Sequence, residues 1–426
     1  MPFRSNVLHH LTTRLARGAG AVLVLHVVGG ALGFATHVLL ARWLSVADYG
    51  TYALALGWTF VLARLAALGL PSALFQVLPQ TPTPRRVLRT GRWLIGGVGL
   101  ALAGLLSLLW TYDIAGPALG WAGLFLLPTA LSLFETNRLR LADRPQWAYG
   151  PPQVLRPVLL GGGLVGGVWV LGASPTLLLV GLCAVAGLWG AWGLQRAAPA
   201  PPASSAAPSF APRGLLAVAL PLLIADGATL VLSKSDVLML GGLRPEADVA
   251  LYAVALRLAQ VTTLVGVAVD AVGAPRLARC LHERRAALPG LVHRLVHLHF
   301  WPSLLVAGVL VAAGTSLLAL FGPSYAAAHP LLLCLVGGYL ANAATGSATV
   351  LLVASGHERL SMRISVAIAA LNLVLNLVGI HLMGPLGAAL ATAVSLAARN
   401  VWVYRAVSRH VGVRPSIVAA TRHALS

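Results

Sequence analysis

Arg64 stands alone in an apolar stretch. It lies twelve residues after Tyr52 and fourteen before Leu78, which on a straight helix places it about 18 Å from either end. That is too deep for the side chain to reach water by stretching alone. At helical spacings of three, four and seven its neighbours are Gly57, Phe60, Ala67, Leu68 and Pro71, none of them able to neutralise it. A cation so placed either lines a wet cavity or pairs with an acid on another helix.

The only lysine, Lys234, belongs to a second polar stretch. At about 100° per residue, Asp226, Thr229 and Ser233 form one stripe, with Lys234 about 80° to one side and Asp236 about 80° to the other. Lys234 and Asp236 are then too far around the helix to pair with each other. An arc that wide faces a cavity or supplies salt bridges to other helices. Further along, Arg257 and Gln260 share a face, although Arg257 is close enough to a span end to snorkel. Guanidinium forks and an ammonium suit phosphate oxygens. The candidate cationic, substrate-binding set is therefore Arg64, Lys234 and Arg257, with Ser233, Thr229 and Gln260 as polar lining. Asp226 and Asp236 are candidates for coupling or charge balance: they take up protons or ions, or hold the cations when no substrate is bound. No nucleophile, catalytic acid or metal-type cluster accompanies them, and Cys183, Cys280 and Cys334 lie far apart without metal-ligand spacing. No cofactor and no enzyme activity are expected.

The elements that must position these residues follow from composition. The chain is 58% hydrophobic and 10% charged, with a mean hydropathy of +0.84. A water-soluble domain needs a larger share of ionisable surface, so the solvent is lipid. The net charge of +19 comes from short arginine clusters between long apolar runs. It is not gathered on one polar domain, which excludes nucleic acid as partner.

Runs of roughly 20 apolar residues can cross a bilayer, and twelve are expected: 19–41, 52–78, 93–112, 117–136, 153–172, 175–194, 214–241, 250–275, 300–321, 330–354, 361–382 and 385–407. With a cytoplasmic N-terminus, nearly every arginine outside the spans falls inside, leaving only Arg42 and Arg244 outside. This is the positive-inside pattern of a multi-pass inner (plasma) membrane protein with both termini in the cytoplasm.

The chain also repeats itself. A shift of 200 residues lays ADYGTYALAL, from Ala47, on ADVALYAVAL, from Ala247. Asp48 and Asp248 are expected to N-cap the spans that follow, and Asp270 to pair with Arg276 or Arg279. Residues 197–213, AAPAPPASSAAPSFAPR, read as an extended linker. The expected organisation is a basic cytoplasmic segment (1–18), a six-helix lobe (19–196), the linker (197–213), a second six-helix lobe (214–408) and a basic tail (409–426). The fold class is all-α and polytopic, with about twelve transmembrane helices in a 6 + 6 pseudo-repeat.

The segments LLARWLSVADYGTYALAL (39–56), LGLPSALFQVLP (68–79), SKSDVLMLGG (233–242), ALYAVALRLAQ (250–260) and GPLGAALATAVSL (384–396) resemble the polysaccharide flippases of the multidrug/oligosaccharidyl-lipid/polysaccharide exporter superfamily. The resemblance runs along nearly the whole chain and rests on order and spacing, without a catalytic signature. It implies two six-helix lobes, alternating access, and a substrate carried on a polyprenyl pyrophosphate, flipped from the cytoplasmic to the outer leaflet for lipopolysaccharide or exopolysaccharide biosynthesis. The implied partners are the lipid-linked oligosaccharide, the bilayer, and a polysaccharide polymerase or glycosyltransferases.

Two other classes compete. A multidrug or toxin exporter of the same superfamily predicts an acid-dominated cavity, against which Arg64 and Lys234 argue. A membrane enzyme acting on lipid-linked sugars needs a sizeable outer loop with catalytic acids or histidines, and the outer connections here are about ten residues or fewer.

Overall fold

The computed structural model describes residues 24–81, 83–114, 116–142, 145–171, 187, 212–283 and 285–425. Among these residues every regular element is a helix. Eight helices among the described residues are long and apolar enough to cross a membrane, or nine when a bent pair is taken as one span. The expected span at 175–194 and the linker 197–213 lie outside the described residues, apart from 187 and 212–213. The chain divides into two compact units, Met1–Gly227 and Ala228–Ser426.

The first unit contains α1 (Val24–Trp43), α2 (Val46–Ala66), α3 (Leu70–Val77), α4 (Pro84–Thr111), α5 (Pro117–Leu141), the short α6 (Pro145–Gly150), α7 (Arg156–Leu171) and the first part of α8 (Pro212–Leu243). Its core joins Leu70, Leu74 and Val77 of α3 to Val87 and Ile95 of α4, Leu126 and Phe134 of α5, and Ala219 of α8. The opposite face of α4 stays apolar: Trp93 is 76% exposed and Leu100 63%. In water such a face would be a liability; against acyl chains it is the ordinary surface.

The N-terminus of α2 corrects one expectation. Its cap is Ser45, whose hydroxyl accepts from the Asp48 backbone N–H at 3.1 Å and donates to Asp48 Oδ2 at 2.8 Å. Asp48 is thus the third helical residue of a reciprocal capping arrangement. In the second unit the corresponding helix starts 200 residues later, at Glu246, with Pro245 in the cap position and Asp248 donating its N–H to the Pro245 carbonyl at 3.0 Å. The repeat read from sequence therefore coincides with two equivalent helix starts, and in both the aspartate sits inside the first turn.

The second unit continues α8 and adds α9 (Glu246–Ala259), α10 (Thr263–Glu283), α11 (Leu288–Ala312), α12 (Gly314–Ala319), α13 (His329–Ala343), α14 (Ala348–Ala354), α15 (Glu358–Met383), α16 (Pro385–His410) and α17 (Ile417–Leu425). Two expected spans need correction. The ninth is the helix Leu288–Ala312, displaced toward the N-terminus from 300–321, because its polar first turns with His293, Arg294 and His297 remain helical. The tenth is broken between α13 and α14, with Gly346 at φ +54. Asp270 also has a different partner from the one expected: Ser347 donates to its carboxylate, and among the described residues no ion pair joins it to Arg276 or Arg279.

Helix α15 and helix α16 are linked by a single residue, Gly384, at φ +58. Just beyond that turn the backbones touch. A Cβ on Gly387 would lie 1.8 Å from the Gly379 carbonyl oxygen, so only hydrogen fits there. Deeper in the unit the same two helices meet α8 through buried amides and hydroxyls. Ser235 donates to Asn372 Oδ1 at 2.9 Å, Asn376 donates to the same oxygen at 3.0 Å, and Asn372 donates to Ser395 at 3.1 Å. Such bonds fix helix register where lipid offers no alternative partner.

Candidate functional site

Arg64 is positioned by a break that a straight-helix reading misses. Helix α2 ends at Ala66, Leu68 and Gly69 take left-handed φ values of 53° and 72°, and α3 restarts with Pro71 in its first turn. The axis turns by 41°. Gly69 is required twice over: by its φ, and because a Cβ there would lie 2.1 Å from the Ala219 carbonyl oxygen. Arg64 therefore occupies the last turn of the 21-residue helix α2, where the C-terminal carbonyls favour a cation, and not the middle of one straight helix.

Its guanidinium lies over the Phe60 ring, 4.6 Å from the centroid, a favourable cation–π contact. The Nε atom is buried and makes no hydrogen bond. The group borders a cavity of about 80 Å³ shared with Ser72, Leu133, Asn137 and Leu223, room for a few waters. Asp226 follows Leu223 by three residues on α8, but the side chains of Asp226 and Thr229 lie outside the described residues.

A contrasting cluster in the same unit escaped the sequence reading. Glu135 on α5, fully buried, accepts a hydrogen bond from Arg92 Nε at 2.6 Å and forms an ion pair with Arg138, whose Nε lies 2.6 Å from the other carboxylate oxygen. These are the only ion pairs among the described residues. Arg92 and Arg138 read as loop arginines in sequence; the visible clue was the i,i+3 spacing of Glu135 and Arg138. This trio of one carboxylate and two guanidinium groups, net charge +1, ties α4 to α5. Among the described residues no carboxylate pairs with Arg64.

In the second unit, Asp236 is buried at 4% exposure. Its Oδ2 accepts from the Tyr252 hydroxyl at 2.6 Å and its Oδ1 from the Val237 N–H at 2.8 Å, while Thr392 lies 3.2 Å from the same hydroxyl. Tyr252 is one of the repeat residues, and its counterpart Tyr52 is likewise buried, although Tyr52 packs against the rings of His37 and Tyr49. Replacing Tyr252 with phenylalanine removes the donor and leaves a buried carboxylate oxygen bare, at a cost of about 1–3 kcal/mol. A lower midpoint in SDS titration of the purified variant is the expected result.

Lys234 is half-buried and acts electrostatically on Asp236, so it differs from Arg64. Ser233 is exposed and its hydroxyl donates to the Leu230 carbonyl at 3.0 Å. Arg257 is half-buried in the last turn of α9. Gln260 lies in the turn that follows and is exposed. The expected arc on α8 is thus divided: Ser233 faces outward, while Ser235 and Asp236 enter the helix packing of their own unit. This unit also holds a cavity of about 900 Å³ between α11, α13 and α16, partly covered by α17, with His293, Thr345, Asn400, Tyr404 and Arg414 among its lining. Thr345 donates to Asn400 across it at 3.1 Å.

The comparisons with known proteins match this architecture. A family model described as polysaccharide biosynthesis protein matches residues 15–133, and the MatE model matches residues 221–378. No curated protein sequence matches the chain significantly. Among solved structures, the lipid II flippase MurJ in an inward closed conformation superposes with a TM-score of 0.72 at 14% identity, covering 91% of this chain and 87% of that one. An inward-facing multidrug resistance MATE family transporter gives 0.69 at 12% identity, with 94% and 99% covered. A MOP superfamily transporter from Pyrococcus furiosus gives 0.55 at 15% identity, with 96% of each chain covered. At such identities the structures speak for the fold; the two family models, one on each half, carry the kinship. Together these matches support a flippase or exporter of the multidrug/oligosaccharidyl-lipid/polysaccharide exporter superfamily, with one family model on each half and the fold shared with its solved transporters.

Proposed function

We propose that this transporter flips an oligosaccharide linked to a polyprenyl pyrophosphate across the inner membrane by alternating access, without chemical change to the substrate. The observation that carries this reading is Arg64: a guanidinium inside the first unit whose Nε is buried and unbonded, with no ion-pair partner among the described residues. A diphosphate entering a low-dielectric region needs such a group. In this reading the second unit contributes its own cations, Lys234 and Arg257. Asp226 and Asp236 balance charge or bind the coupling ion, and Ser233, Thr229 and Gln260 supply hydrogen bonds to sugar. The match of the N-terminal half to polysaccharide biosynthesis proteins supports it. Polymerase or glycosyltransferase partners would follow from the same role.

The test is flipping of a fluorescent lipid-linked oligosaccharide by reconstituted protein. Loss of one charge-assisted contact is worth about 1.5–3 kcal/mol, so Arg64→Ala slows flipping about 10- to 100-fold and Arg64→Lys retains part of the rate. An unchanged rate in Arg64→Ala at matched protein levels would remove the cation from the mechanism. The MatE match over 221–378 favours a second reading, export of small cationic molecules. Vesicles that expel a cationic dye but leave the lipid-linked sugar in place would establish that reading instead.

A further inference from the structure

The ends of α15 and α16 form a basic recess that the transport reading does not use. It is a cavity of about 220 Å³ lined by Leu360 and Ile364 from α15 and by Trp402, Arg405, Ala406, Arg409 and His410 from α16. Arg405 and Arg409 are one helical turn apart, so both guanidinium groups project from the same face. Both are exposed, and neither belongs to an ion pair among the described residues. His410 rests against the His357 ring, 5.0 Å between centroids, which closes one side. Trp402 lies one turn deeper into the span, 48% exposed, the depth at which indoles mark the headgroup level of a bilayer. Beyond it the outward faces are apolar, with Val394 50% and Val366 50% exposed.

From the end of the span inward, the order is two guanidiniums and an imidazole, an indole, then aliphatic surface. That order matches a phosphodiester headgroup, its glycerol region and its acyl chains. A free inorganic anion has no use for the last two layers. We propose that this recess binds the headgroup of an anionic phospholipid, held by paired forks from Arg405 and Arg409. The site rests only on the chain's residence in a membrane and is independent of the transported substrate.

The test is native mass spectrometry of the full-length protein in detergent, titrated with phosphatidylglycerol, with phosphatidylcholine, or with inorganic phosphate. The wild type is expected to retain phosphatidylglycerol about tenfold better than phosphatidylcholine, and phosphate alone leaves no adduct. The double variant Arg405→Gln/Arg409→Gln loses that preference, and Arg405→Lys/Arg409→Lys keeps a part of it. The control Arg85→Gln/Arg86→Gln removes equal charge from exposed positions on α4 and keeps the preference whole. The proposal is overturned if the wild type shows no preference, if the control loses as much as the recess variant, or if phosphate alone occupies the site.

Discussion

Glu135→Ala is expected to destabilise the first unit by about 3–5 kcal/mol, the range for removing one partner from a buried ion pair. The carboxylate is completely buried, and the two guanidinium groups that meet it are 32% and 5% exposed as side chains. Without it, two cations face each other at the α4–α5 contact with the carboxylate between them gone. The measurement is SDS titration of purified protein, read by tryptophan fluorescence. Glu135→Gln keeps the shape and removes the charge, so it should fall nearly as far. The stronger test removes the whole trio. Replacing Glu135 with leucine and both Arg92 and Arg138 with methionine leaves no charge to desolvate and should recover most of the loss. A triple variant as unstable as Glu135→Ala would mean that shape, and not charge, holds this contact.

Gly387→Val is the second large effect. Even the Cβ of alanine would sit 1.8 Å from the Gly379 carbonyl oxygen, and backbone atoms cannot rotate aside as a side chain does. The helices must separate, which pulls apart the Asn372–Ser395 bond one layer deeper. Overpacking costs typically 1–3 kcal/mol and more when backbone must move, so a loss of about 3 kcal/mol or greater is expected, with Gly387→Ala intermediate. The same titration measures it, and Gly290, whose Cβ position meets nothing within 4 Å, supplies a neutral comparison. Equal stability of Gly387→Val and wild type would show that α15 and α16 are not in backbone contact.

The lipid solvent, the order of the helices and the repeat could be read from sequence because each leaves a long-range signature. Apolar run length marks a span, and the 200-residue match falls on two helix starts. What escaped reading was local. Arg64 was placed on a straight helix because a continuous apolar run conceals a bend; the clue was Gly69 followed by Pro71, a left-handed terminator and then a first-turn proline. The ninth span was displaced because histidines and an arginine in its first turns look like loop in a hydropathy reading. Glu135 was missed for the opposite reason, since one acid at the end of an apolar run adds little to any sum. For Asp236, helical angles placed it on a polar arc of α8 but could not say that the Tyr252 hydroxyl binds it inside the helix packing.

The one-residue link between α15 and α16 restricts how this unit can change shape. Two rods tied at one end by Gly384, with their main chains in contact at Gly379 and Gly387, have no room to slide past one another or to rotate about their long axes. They travel as a single beam. Any rearrangement that carries a load across the membrane must therefore be hinged elsewhere, at breaks such as the one between α13 and α14 or the one beside Arg64.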